Sequence, residues 1–238
     1  NLGVRVARLE DRVGNVKVTG DMRIKWEDQE HASSKTDARA RIQFNAKVND
    51  RTDAVARIKG AYEFGDASKS AAVTMDRAYV NHKFGERVSA KAGRFGQTFG
   101  AGLAYDAQFD GAQFNAGNDK VAFQAAYGYL TSGNLMTASH TPAGATAAVS
   151  TVEKDANAEV VYLGLNGKVG KHAMVGGFYN RFNADDSDYK NVYGFNADAN
   201  FDKVWVGGEW LRDSHVDKSQ AWTAGLGFGN YDIKKQGT

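Results

Sequence analysis

Val16-Lys17-Val18-Thr19-Gly20-Asp21-Met22-Arg23-Ile24-Lys25-Trp26-Glu27 decides how this chain reads. Val16, Val18, Met22, Ile24 and Trp26 alternate with Lys17, Thr19, Asp21, Arg23, Lys25 and Glu27. A period of two belongs to a strand with one apolar and one polar face. The pattern returns in 38–48, where Ala38, Ala40, Ile42, Phe44, Ala46 and Val48 alternate with Arg39, Arg41, Gln43, Asn45 and Lys47. It returns in 54–64, with Ala54, Ala56, Ile58, Tyr62 and Phe64 against Arg57, Lys59 and Glu63. Runs of about 10–12 residues are long for a soluble strand but suit a tilted strand crossing a bilayer.

Working outward, further strands are expected near 74–84, 87–95, 108–116, 120–130, 158–168, 172–182, 191–201, 203–213 and 220–231, about twelve in all and antiparallel by their connections. Short polar turns such as 49–52, 85–87 and 170–171 lie at one end, and longer loops at 28–36, 65–72, 131–156 and 183–189 at the other. That asymmetry is characteristic of outer-membrane barrels.

The chain has 27 Gly, one Pro and no Cys among 238 residues, and a mean hydropathy of −0.51. No run of about 18 apolar residues exists, which excludes a spanning helix but not spanning strands, whose alternation gives a soluble-looking average. The 30 basic and 28 acidic residues nearly balance, against a nucleic-acid partner, which needs a basic excess gathered on one face.

Alternation alone leaves two homes for the apolar face, a sandwich core or lipid. Trp26, Tyr62, Phe64, Phe84, Phe201 and Trp210 fall at strand ends on that face, as interfacial girdles do. Its many Ala, Gly and Val residues would leave a protein core underpacked but suffice against lipid. Lipid is therefore the expected neighbour, with a soluble sandwich as the rival.

Residues 1–13 follow a different period. Leu2, Val6, Leu9 and Val13 are spaced four, three and four apart, a heptad seam that puts Arg5 and Glu10 at the flanking positions of a coiled coil. The alternative is a short amphipathic helix, since under two heptads cannot fold alone.

The stretch 92–111, Ala92-Gly93-Arg94-Phe95-Gly96-Gln97-Thr98-Phe99-Gly100-Ala101-Gly102-Leu103-Ala104-Tyr105-Asp106-Ala107-Gln108-Phe109-Asp110-Gly111, reads as an interruption of the alternation. A strand ending in Gly-Arg, a glycine-rich loop and a return through Phe-Asp-Gly resembles the general bacterial porins at their third extracellular loop. The resemblance implies a loop folded into the barrel, with Asp106 and Asp110 as the acids of a constriction. Basic residues of one parity gather on the first five strands: Arg23, Lys25, Arg39, Arg41, Arg57, Lys59, Arg77, Lys91 and Arg94. In a narrow aqueous bore such a set concentrates anions. Strict parity from Val88, Ala90 and Ala92 aims Arg94 outward, so a bulge is needed to bring it to the lumen.

Residues 9–24, Leu-Glu-Asp-Arg-Val-Gly-Asn-Val-Lys-Val-Thr-Gly-Asp-Met-Arg-Ile, together with the heptads resemble the stalked OmpM-type porins of diderm Firmicutes. This implies a homotrimer in the outer membrane, with 1–14 as the end of a periplasmic coiled-coil stalk and 15–238 as the barrel. It also implies an S-layer-homology anchor on peptidoglycan or a secondary cell-wall polymer, and about sixteen strands, so that 238 residues are expected to be part of a longer protein. Passive diffusion of small hydrophilic solutes is the expected function, and tethering of the outer membrane the alternative.

No enzyme is expected. His82, His140, His172 and His215 have no recognisable Ser or Asp arrangement around them. No cofactor motif or metal cluster appears, and Asp185-Asp186-Ser187-Asp188 reads as a solvated loop tip rather than a calcium site.

Overall fold

The computed structural model describes residues 14–28, 34–65, 72–131, 158–183, 191–214 and 219–229. The heptad residues Leu2, Arg5, Val6, Leu9, Glu10 and Val13, together with His140, His215, the Asp185–Asp188 tip and residues 230–238, lie outside them.

The described residues are all-β. The strands are β1 (Val16–Glu27), β2 (Lys35–Asn49), β3 (Thr52–Glu63), β4 (Ala72–Lys83), β5 (Val88–Phe99), β6 (Tyr105–Gly117), β7 (Val121–Leu130), β8 (Glu159–Val169), β9 (Ala173–Asn183), β10 (Asn191–Phe201), β11 (Val204–Asp213) and β12 (Gln220–Phe228). They follow one another in chain order through the sheet, with β1 and β12 at the two ends of that order. The sheet is not closed on itself by a β1–β12 ladder among the described residues. The ladders from β1 through β4 and from β6 through β12 are antiparallel.

Two compact units form. The first holds the chain to Gly85 with Lys91–Phe95, the second Glu86–Ala90 with the chain from Gly96. Tight connections join strands within each. Asn118 Oδ1 accepts the amides of Lys120 and Val121 at 2.8 and 3.0 Å to make the β6–β7 turn. Asp202, at φ 57°, makes the two-residue β10–β11 turn, a backbone region that short polar side chains tolerate.

The expected interruption over 92–111 is corrected by the structure. Alternation runs unbroken to the end of β5, with Phe95, Gln97 and Phe99 buried and Arg94, Gly96 and Thr98 exposed. It resumes at once in β6, where Tyr105, Phe109 and Gln113 are buried. Only 100–104 is loop. The glycines misled because they look like loop punctuation, yet Gly93 serves close packing. A methyl group there would meet the Ala78 carbonyl of β4 at 2.2 Å.

Within the second unit the sheet curls. Ala101 and Leu103, just before β6, donate to the Glu209 carboxylate on β11 at 2.9 and 2.8 Å. In a flat sheet the five spacings from β6 to β11 would separate these strands by about 24 Å. The face bearing Glu209 is therefore concave. Its opposite face carries Tyr127, Val161, Leu163, Leu165, Phe195, Leu226 and Phe228, all exposed. In the first unit the apolar face is exposed too, with Met22 at 70% and Trp26 at 66%. Apolar surface on this scale marks a membrane or protein partner rather than water.

Candidate pore lining

The polar face of the first unit stacks like charges. Register sets Arg23 opposite Arg39, Arg41 opposite Lys59 and Arg57 opposite Arg77. Directly opposed like charges destabilise a sheet, so stability alone does not account for three such pairs on adjoining strands. Counter-charges are few and placed among them. Asp21 accepts from Arg41 Nε at 2.8 Å and lies 3.5 Å from Arg39, Arg23 lies 3.5 Å from Asp37, and Lys25 pairs with Glu27. Arg57 holds Asp76 in a buried, two-pronged pair. Asp76 reaches that face because β4 bulges there: Arg57 pairs with Arg77, and the next residue, Ile58, with Met75. Lys91 lies over the rings of Tyr79 and Phe95, 5.3 and 4.9 Å from their centres.

The sequence-predicted residues therefore divide. Arg23, Lys25, Arg39, Arg41, Arg57, Lys59 and Arg77 share one ladder face through the register above, and Lys91 packs onto Tyr79 of that unit. Arg94 is exposed between Gly93 and buried Phe95, at the parity of Val88, Ala90 and Ala92. Asp106 and Asp110 alternate with buried Tyr105, Phe109 and Gln113. They sit on the parity opposite the concave face of the second unit, Asp106 accepting from Thr98 at 3.0 Å and Asp110 opposite Tyr129. A five-residue turn leaves β6 in regular alternation, and the parity of Asp106 and Asp110 follows from that of Phe109.

The acids whose parity is that of the concave face include Asp198, Asp213 and Glu209, and Glu209, which sequence reading missed, is the one that reaches the turn before β6. It is buried and holds the 100–104 turn against the sheet. Phe99 stacks on Tyr162 at 4.6 Å and 10° beneath that turn, and Gly100, at φ 59°, fits only because it lacks a side chain. A methyl there would lie 1.9 Å from Glu209 Oε1 and 2.5 Å from the Phe178 ring. Beside this latch runs a row of amides. Gln97 donates to Gln124 at 2.9 Å, and Gln124 and Gln113 donate to Asn115 at 3.1 and 2.7 Å. The signal that could have found both is the even parity of Asn166, Asn196 and Gln124 and the odd parity of Gln113, Asn115 and Glu209, each tracked against the exposed apolar residues of its strand.

No protein-family profile matches the chain, and no curated protein matches it. Among solved structures it is similar to a triple mutant of Rhodopseudomonas blastica porin, with 12% identity over 91% of each chain and a TM-score of 0.49. It is similar to another mutant of that porin at 12% identity and a TM-score of 0.48, covering 90% of this chain and 89% of the other.

Proposed function

We propose that this chain is an outer-membrane porin, a passive channel for small hydrophilic solutes. The observation that carries the reading is the division of faces. In both units an exposed apolar face backs a polar one, and in the second the polar face is concave and narrowed by an inward-held turn. Lipid on the outside and water on the inside satisfy both faces at once. The opposed Arg and Lys residues of β1–β4 favour anions, with Arg23, Lys25, Arg39, Arg41, Arg57, Lys59, Arg77 and Lys91 as the lining set.

Closure into a barrel of about sixteen strands belongs to this proposal, as does the homotrimer. The same holds for a periplasmic stalk over 1–14, which rests on the heptad spacing of Leu2, Val6, Leu9 and Val13, and for a peptidoglycan or cell-wall anchor, which rests on the resemblance to the stalked porins alone. The same resemblance implies membrane tethering as a second role. Planar-bilayer recording tests the channel. Ohmic steps grouped in threes are expected, and a purified, folded protein that gives none refutes it.

A further inference from the structure

We propose that Trp205 is the floor of a stacking site for neutral polyhydroxylated solutes, the pyranose ring of a sugar being the class that fits. The inference deepens the channel reading and rests on it for solute access.

Trp205 shares the parity of Glu209 and Leu211 and so lies on the concave face of the second unit, apart from Trp210 and Trp222, whose parity is that of the exposed apolar face. Neither core packing nor lipid accounts for a tryptophan there, and it is 42% exposed. Its ring rests on backbone cleared by glycines. A methyl at Gly207 would lie 2.6 Å from indole Cζ2, one at Gly225 2.8 Å from Cζ3, and one at Gly227 3.7 Å from Cε3. Register explains the clearing, since Gly227 is opposite Trp205 and Gly225 opposite Gly207. The indole is thus held against the sheet.

A polar rim accompanies this floor. On β10, Asn200, Asp198 and Asn196 stand opposite Trp205, Gly207 and Glu209, about 7 Å apart along the strand. The Asp198 Cβ is 3.1 Å from where a Gly207 methyl would sit, next to the indole. Asn196 Oδ1 turns the other way, 2.5 Å from where a Gly176 methyl would sit on β9, so the rim beside the indole is Asn200 and Asp198. A pyranose offers an apolar C–H face to the ring and a rim of hydroxyls to the Asn200 amide and the Asp198 carboxylate, which between them donate and accept. An organic cation would also be drawn to an indole face and to the Asp198 carboxylate, but it has no use for the Asn200 amide donor, which a sugar hydroxyl accepts from.

Saturation-transfer NMR of maltose with the detergent-solubilised protein tests this. Transfer to the ring C–H protons is expected, reduced about tenfold by Trp205→Ala, reduced by Asp198→Ala, and kept by Trp205→Phe, which retains an aromatic floor and serves as the folding control. Absence of transfer to the native protein, transfer that survives Trp205→Ala, or binding of choline but not maltose would each overturn the proposal. The measurement needs no conduction. A protein that conducts without binding maltose defeats this inference alone, and one that binds maltose but never conducts defeats the channel reading alone.

Discussion

Arg57 grips Asp76 through two parallel bonds, Nε to Oδ1 at 2.8 Å and Nη2 to Oδ2 at 2.6 Å, because β4 carries one residue more than β3 at that point. Without the bulge Asp76 would fall on the other face, leaving Arg57 between Arg77 and Gln43 across its two ladders. The side chains are 8% and 13% exposed, so solvent screens the pair little.

Asp76→Ala should therefore destabilise the protein by about 3–5 kcal/mol, since it strands a buried guanidinium beside a second one. Replacing both partners, Arg57→Met with Asp76→Leu, should cost much less. Urea unfolding in micelles or vesicles measures the difference, and equal losses in the two variants would contradict the account.

Charge selectivity is expected to live in the half-buried members of the ladder, which solvent still reaches. Arg39→Gln, Arg41→Gln and Lys59→Gln together should move the reversal potential in a salt gradient toward cations. The shift should shrink at 1 M salt, where the screening length falls to about 3 Å. Arg57 is left intact here so that a loss of folding does not mask the effect.

The 100–104 turn should open when its anchor goes. Glu209→Ala removes a buried carboxylate that accepts two amides, each charge-assisted bond contributing about 1.5–3 kcal/mol. Single-channel conductance should rise and become noisier. Gly100→Val should do the same by collision with Glu209 and Phe178, and the double variant should add little to either. Unchanged conductance in both single variants would remove the turn from the permeation path.

Opposite faces of β8 should respond oppositely to the same charge. Leu163→Arg, on the exposed apolar face, should cost about 2–4 kcal/mol for folding into lipid vesicles, the penalty for Arg near a bilayer midplane. Asn166→Arg, on the concave face, should cost far less. Similar penalties at both positions would mean that lipid does not distinguish the faces.

Most of the fold was legible because alternation is a local signal. Val16 through Trp26 announces its strand without reference to anything else, and the expected strands correspond to the twelve observed ones within a few residues, apart from β5 and β6, which run further toward one another than expected. The polar ladder was legible for the same reason, since Arg39, Arg41, Arg57 and Lys59 share a parity. What escaped notice depends on distant partners. Gly93 and Gly100 look alike in sequence, yet one permits the approach of β4 and the other the approach of Glu209. The bulge at Asp76 cannot be seen from β4 alone, where Asp76 and Arg77 compete for one face until Arg57 is opposite. Glu209 was passed over because a lone acid in a strand carries no sign that two amides 106 and 108 residues away will need it.

That separation also sets an order in time. Every strand pairs with its predecessor in the chain, so the meander can grow hairpin by hairpin with modest loop-closure cost. The bonds from Ala101 and Leu103 to Glu209 cannot, because they wait until β6 through β11 have assembled and curled. The amide of Leu103 is accordingly among the last to gain protection from exchange during refolding, and its protection marks a chain whose second unit has finished assembling.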